Sequence, residues 1–115
     1  MLFRSNGDAY MALETGTAAA VVDPLNNTVA ANVAGVSNAV GVSVAPNNSK
    51  VYLTAQTTSK VYVVDAATRT LTATINSTRA FGIAVSADNL NVFSTNISGN
   101  TMDVISTTSN TVTRS

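Results

Sequence analysis

Apolar residues in this chain come in short alternating runs broken by polar turns, and the runs recur at a fixed interval. The stretch from Val61 to Leu71 is repeated from Thr101 to Val112 at a spacing of 41, with Val63 matching Val104, Thr70 matching Thr111 and Leu71 matching Val112. Upstream, Asp23 matches Asp65, Thr28 matches Thr70 and Val29 matches Leu71 at a spacing of 42. The stretch from Gly41 to Tyr52 matches Gly82 to Phe93, and Leu2 to Tyr10 is the same segment with its front missing, so that Tyr10, Tyr52 and Phe93 are equivalent. A recurrence of this length marks a repeat architecture built from one supersecondary unit.

Each unit predicts four strands, because runs alternating with period two put one face in a core. Strand A covers 40–45 and 81–86. Strand B covers 9–13, 51–55 and 92–95, and strand C covers 18–22, 60–64 and 101–105. Strand D covers 28–33, 70–75 and 111–114. The A–B turns are 5–7, 47–49 and 88–90, rich in Asn and Gly, which tolerate the left-handed backbone of tight hairpins. The C–D turns run 23–28, 65–70 and 106–111. Each opens on Asp or Ser, whose short side chain can bond the backbone two residues on. Four-stranded units at this period predict an all-β fold of three four-stranded antiparallel β-propeller blades, a partial propeller or one completed by oligomerisation. The chain is one repeat domain, 1–115, with blade one 1–34, blade two 35–76 and blade three 77–115.

These residues resemble the YVTN β-propeller repeats of prokaryotic surface-layer proteins. Val51 to Thr54 reads V-Y-L-T, Val61 to Leu71 reads V-Y-V-V-D-A-A-T-R-T-L, and Gly82 to Asn89 reads G-I-A-V-S-A-D-N. The departures are Asn48 and Asn89 where the family has Gly in the A–B turn, Ser106 in place of the Asp, and a truncated first strand A. The resemblance implies a cell-surface or extracellular location and a binding or structural role. Similar propellers include lactonases and lyases, whose site residues have no match here. Whole propellers of this kind have more than three blades, so the chain reads as a segment or a subunit.

Composition narrows the chemistry. Charged residues make up 10% of the chain and the formal net charge is zero. The six basic residues are scattered, which argues against nucleic acid and against a polybasic membrane anchor. No apolar run reaches the ~20 residues of a membrane span, so no membrane insertion is expected. The stretch from Met1 to Asp8 lacks the apolar core of a signal peptide. Val, Thr, Ser and Ala dominate, a β bias typical of extracellular β-proteins. There is no Cys and no His, which removes disulfides, thiolate metal sites and the commonest general base. No cofactor and no metal are expected. Asp8, Asp88 and Asp103 are read as lying in or beside turns and strand edges, and the loop from Asp88 to Asn91 is too short for a calcium site.

Antiparallel parity places the A–B and C–D turns at one end of the blades and the B–C and D–A loops at the other. The second end is the less regular and is the expected binding face. Its polar residues include Glu14, Asn38, Gln56, Lys60, Arg79 and Asn100, of which the first five are the binding candidates. Arg79, just before a strand A, is placed to reach toward the channel mouth. Sequons at Asn26, Asn47, Asn76 and Asn96 fall in turns or loops and are the glycosylation candidates. Thirteen Asn in so hydroxyl-rich a chain give roughly three sequons by composition alone, so their number carries no weight. The aromatic residues Phe3, Tyr10, Tyr52, Tyr62, Phe81 and Phe93 mostly alternate into the blade cores.

The function expected is that of a non-catalytic structural or adhesive cell-surface propeller segment making protein or glycan contacts. Its expected partners are other copies of itself or missing blades of a longer chain, and surface proteins or glycans. One alternative is a self-assembling three-blade subunit that closes a ring or stacks into a filament. Another is a fragment of a lactonase- or lyase-type propeller enzyme whose site lies in missing blades.

Overall fold

The computed structural model describes residues 2–5, as backbone, and residues 7–115. Twelve strands follow one another: β1 (Leu2–Ser5), β2 (Asp8–Met11), β3 (Ala18–Asp23), β4 (Thr28–Ala34), β5 (Gly41–Val44), β6 (Lys50–Ala55), β7 (Lys60–Asp65), β8 (Thr70–Asn76), β9 (Ala80–Val85), β10 (Asn91–Asn96), β11 (Thr101–Ser106) and β12 (Thr111–Arg114). They form three four-stranded sheets, β1 to β4, β5 to β8 and β9 to β12, in each of which successive strands pair antiparallel. The chain is all-β and its three sheets are propeller blades. The strands mostly extend a residue or two beyond the apolar runs that predict them. Asp23, Asp65 and Ser106 close strands β3, β7 and β11 instead of lying wholly in the turns.

Each turn class has its own residue in the left-handed backbone region, and those residues also repeat. The A–B turns use Gly7, Asn48 and Asn89, the B–C turns Ser59 and Asn100, the C–D turns Asn27, Arg69 and Asn110, and the D–A loops Asn38 and Arg79. Asn accepts this conformation readily and Arg does not, so Arg69 and Arg79 are held there by the frame around them. Asn6, expected in the first A–B turn, and the side chain of Phe3 lie outside what is described.

The C–D turns bear out their chemistry. Asp23 Oδ1 accepts the Leu25 amide at 2.9 Å, Asp65 Oδ1 accepts those of Ala67 and Thr68 at 2.9 and 3.0 Å, and Ser106 Oγ accepts that of Ser109 at 3.4 Å. Asp88 and Asn47 do the same in the A–B turns, for Leu90 and Ser49. The pKa of Asp23 is lowered chiefly by the Asn26 side chain, that of Asp65 by the Thr68 amide, and that of Asp88 by the Ser86 hydroxyl.

Strand D carries a bulge at the same place in every blade. Val22 pairs with Val29 but Val21 with Ala31; Val64 pairs with Leu71 but Val63 with Ala73; Ile105 pairs with Val112 but Val104 with Arg114. The extra residues are Ala30, Thr72 and Thr113. Thr72 and Thr113 donate their hydroxyls to the carbonyls of Val63 and Val104, each at 3.1 Å. Such a bulge increases local twist.

Two cores separate the three blades. Tyr10, Ala19, Val21 and Val33 of blade one meet Val42, Val51, Leu53, Tyr62 and Val64 of blade two. Tyr52, Val61, Val63 and Ile75 on the opposite face of blade two meet Val92 and Ile105 of blade three. Alternation along each strand thus supplies both faces of the middle blade. At the innermost strands the backbones come very close. A Cβ on Gly41 would sit 2.6 Å from the Phe81 carbonyl and 2.6 Å from Thr54 Oγ1, and Thr54 Oγ1 donates to that same carbonyl at 2.5 Å.

Candidate functional site

The two inter-blade cores differ at one end, and the difference follows the repeat. Leu53, Ala55 and Tyr62 are buried on the face that blade two turns to blade one. One repeat later the same positions are Ser94, Asn96 and Asp103. The equivalence is fixed by pairing: Leu53 lies opposite Tyr62 and Ala55 opposite Lys60, as Ser94 lies opposite Asp103 and Asn96 opposite Thr101. In the D–A loops, the buried residue two before the left-handed one is Val36 in the first and Ser77 in the second. Four apolar positions between blades one and two are therefore four polar ones between blades two and three.

The polar residues bond to one another. Ser77 Oγ donates to Asp103 Oδ2 at 2.7 Å, and Ser115 Oγ donates to Asp103 Oδ1 at 2.6 Å. Asn96 Nδ2 donates to Thr101 Oγ1 at 3.2 Å, while its Oδ1 lies 3.4 Å from Ser77 Oγ. Asp103 is 4% exposed and Asn96 6%. A buried carboxylate is tolerated when hydroxyls and amides surround it. Burial pushes the Asp103 carboxyl up, but hydrogen bonds from Ser115, Ser77 and Asn96 outweigh burial and hold it below the usual carboxylate value. The group is ionised at neutral pH. Asp103 is the third residue of β11 and faces inward, which corrects its reading as a turn or edge residue. Its equivalents in the other blades, Tyr62 and Ala20, are apolar, and this contrast in the aligned repeats is the signal that finds it.

Above this cluster lies a cleft of about 450 Å³ lined by Asn76, Thr78, Asn96, Gly99, Thr101, Asp103, Val112 and Ser115. That volume is within the usual range of small-molecule sites. Apart from Val112 and Gly99 the lining is hydroxyl, amide and carboxylate. No aromatic ring contributes. Among the described residues no three His, Cys, Asp or Glu side chains lie together as a metal set would require.

The five binding candidates lie at the B–C/D–A end but do not converge. Lys60 Nζ bonds Asn76 Oδ1, which brings a cation to the rim of the cleft. Arg79 and Asn38 are left-handed loop residues whose backbones tie the D–A loops to the B–C turns. The Arg79 amide donates to Ser59 Oγ at 3.1 Å, and the Asn38 amide to the Gly16 carbonyl at 2.9 Å. Glu14 and Gln56 occupy the same B–C position one blade apart, Glu14 exposed and Gln56 half-buried. Of the sequon residues, Asn26, Asn47 and Asn76 are exposed. Asn96 is closed to a glycan on the folded chain, because its carboxamide is buried and bonded within the cluster.

The opposite end is tied by charge. Arg69 Nε and Nη2 grip Asp8 Oδ2 and Oδ1, both at 2.9 Å, and join blade two to blade one. The Asn47 amide donates to Asn89 Oδ1 at 3.1 Å between blades two and three.

No family model and no curated protein matches the chain. Solved structures do. Hydrazine synthase of Kuenenia stuttgartiensis is similar over 98% of this chain and 34% of its own, with a TM-score of 0.91 and 21% identity. The dihydro-heme d1 dehydrogenase NirN is similar over 97% of this chain and 25% of its own, with a TM-score of 0.81 and 14% identity. U3-55K is similar over 95% and 35%, with a TM-score of 0.82 and 9% identity. At these identities the likeness is one of fold. The chain spans about a third or less of the length of each.

Proposed function

We propose that this chain is a non-catalytic binding segment of a cell-surface β-propeller, and that it takes a hydroxyl-rich ligand, a glycan unit, in the cleft between blades two and three. The observation that carries the reading is the exchange of a buried apolar set, Val36, Leu53, Ala55 and Tyr62, for the polar set Ser77, Ser94, Asn96 and Asp103. Burying a carboxylate and an amide between blades is costlier than repeating the apolar seam. A ligand that needs acceptors and donors gives those groups a use. The low charge, the hydroxyl-rich surface and the resemblance to surface-layer repeats support the location. The non-catalytic reading is supported by the absence of His and Cys from the sequence. It is supported too by the state of Asp103, whose lowered pKa and two hydroxyl donors make it a poor proton donor at neutral pH. With no ring to stack on, hydrogen bonds would hold the sugar, and its affinity would be modest.

The test is titration of the chain with a neutral hexose, an N-acetylhexosamine and a hexuronic acid, followed by amide chemical shifts. A parallel variant restores the apolar seam through Ser94→Leu, Asn96→Ala and Asp103→Tyr. The neutral sugars should shift amides of β10, β11 and the D–A loop in the parent and not in the variant, and the hexuronate should bind less well beside Asp103. Absence of binding by any sugar, or equal binding by the variant, would refute the reading.

A further inference from the structure

At the A–B/C–D end the two seams are closed differently. At the first seam Asp8 opens β2 and Arg69 stands in the C–D turn of blade two, and their bidentate ion pair spans the corner beside Tyr10. One repeat later these three positions are Lys50, Asn110 and Tyr52. The anion of the first seam has become a cation, and its cation has become a neutral amide. No ion pair can replace the first: among the described residues Arg69 and Asp8 make the only one.

The second seam is open at this corner. A cavity of about 180 Å³ lies between blades two and three, lined by Asn47, Ser49, Lys50 and Tyr52 of one and Asn89 and Thr107 of the other. Among the described residues no carboxylate lines it. Tyr52 is 1% exposed, yet its hydroxyl bonds no described group. Burial pushes its phenol up, so the hydroxyl keeps its proton and stays a donor. Half-buried Lys50 likewise makes no side-chain hydrogen bond to a described residue. Its cross-strand neighbour Asp65 is engaged elsewhere: the carboxyl is held down first by the Thr68 amide and last by Lys50, and its Oδ1 accepts the amides of Ala67 and Thr68. The acceptors of the cavity wall are also used. Asn47 Oδ1 accepts the Ser49 amide and hydroxyl at 3.0 and 2.6 Å, and Asn89 Oδ1 accepts the Asn47 amide at 3.1 Å. What remains uncommitted is a set of donors. Buried donors without partners cost free energy that a bound acceptor returns.

We propose that this cavity binds a small oxyanion of the size and charge of a sulfate group, with Lys50 as its counter-charge and the Tyr52 hydroxyl as a neutral donor. Ammonium, phenol and carboxamide nitrogen are the donors from which charge-assisted bonds to oxyanions are made. The size agrees, because sites that enclose a whole small molecule begin near 300 Å³ and this cavity is smaller. The anion enters as a group, and whatever carries it stays outside. The Asp65 carboxylate beside Lys50 limits the affinity, which should be roughly millimolar. The site lies at the other end of the seam from the cleft, shares no lining residue with it, and is independent of the ligand proposed there.

The test is titration of the unglycosylated chain with sodium sulfate, a sulfated methyl hexoside and the neutral methyl hexoside, with ionic strength held constant by chloride and amide chemical shifts as the readout. Sulfate should shift the amides of Asn47, Ser49, Asn89 and Thr107 to saturation and leave those of Thr101 and Asp103 in place. Lys50→Gln should raise the dissociation constant about tenfold, through loss of the charge-assisted bond. Tyr52→Phe, which keeps the ring in the core, should raise it about threefold. Far-UV circular dichroism shows that both variants remain folded. Tighter binding by the sulfated hexoside than by sulfate identifies a glycan as the carrier, and equal binding identifies the free anion; either outcome supports the site. Shifts no larger than those chloride produces, an unchanged dissociation constant in Lys50→Gln, or the same shifts with the neutral hexoside would each overturn the proposal.

Discussion

Substituting Gly41 by Ala tests the innermost packing of the blades directly. The added Cβ would lie 2.6 Å from the Phe81 carbonyl oxygen and 2.6 Å from Thr54 Oγ1. Ordinary contact for such a pair begins near 3.4 Å, so something must move by roughly 0.8 Å, and one of the two neighbours is backbone. Overpacking of a tight site costs about 1–3 kcal/mol. Displacing Phe81 or Thr54 also breaks the hydrogen bond between them, which contributes roughly 0.5–1.5 kcal/mol. The sum is about 2–4 kcal/mol, a large part of the 5–15 kcal/mol that holds a typical domain together. At about 4 °C per kcal/mol for a chain of this size, Tm should fall by roughly 8–16 °C. Thermal melts followed by circular dichroism, with urea midpoints to confirm, measure it. Gly82→Ala is the internal control. Its Cβ would lie 2.9 Å from Thr95 Oγ1, which accepts the Gly82 amide, and meets no backbone, so the change should cost about the 0.5–1.5 kcal/mol of that one hydrogen bond and less than Gly41→Ala. A Gly41→Ala protein that melts with the parent would refute the packing argument. A Gly82→Ala protein as damaged as Gly41→Ala would refute the contrast between the two glycines.

Other expectations follow from the repeated devices. Arg79→Gly removes a left-handed strain of about 1–2 kcal/mol and adds back about 0.5–1 kcal/mol of chain entropy, so a melt should show a gain of up to about 1 kcal/mol. Thr72→Ala breaks the hydroxyl bond across the strand β8 bulge and should cost roughly 0.5–1.5 kcal/mol by urea denaturation. Acid should destabilise the fold. Asp23, Asp65, Asp88 and Asp103 all have pKa values lowered in the folded chain, so they bind protons more weakly folded than unfolded. Their stabilisation is therefore complete above the unfolded carboxylate pKa and lost as pH falls through the folded values. Tm should be level near neutrality and drop below about pH 4, and a Tm that is flat to pH 2 would contradict the turn and cluster hydrogen bonds.

The repeat made the fold legible because each strand reads twice or three times, and an accidental alternation does not recur in phase. The turn chemistry was legible for the same reason: Asp23, Asp65 and Ser106 share one position. The strand D bulge was not, since an inserted residue in one strand shows only against its partner, and Ala30, Thr72 and Thr113 look like ordinary strand residues. The site was half legible. The cleft lies at the end of the blades that parity singles out, but exposed polar residues drew attention there instead of buried ones. Arg79 and Asn38 stand out for their polarity, yet their places are set by backbone conformation. Asp103 and Asn96 were obscured by a general association of Asp and Asn with turns. Their meaning appears only when each is set against Tyr62 and Ala55 in the preceding blade.

That comparison also bears on how the molecule opens. In a repeat protein, stability is close to a sum of terms for each blade and each seam. Exchanging Leu53 and Tyr62 for Ser94 and Asp103 removes roughly 2–5 kcal/mol of apolar burial from the second seam, only partly returned by hydrogen bonds. Blade three is then the least firmly held, and its amides in β10 and β11 should exchange with solvent faster than those of β6 and β7. Uniform protection across the three blades would contradict this. A ligand in the cleft would bridge blades two and three, binding the docked blade and not the open one, and so would stabilise the docked state. Sugar binding should therefore slow amide exchange in β10 and β11 and leave β6 and β7 unchanged, because the weak seam is where the ligand acts.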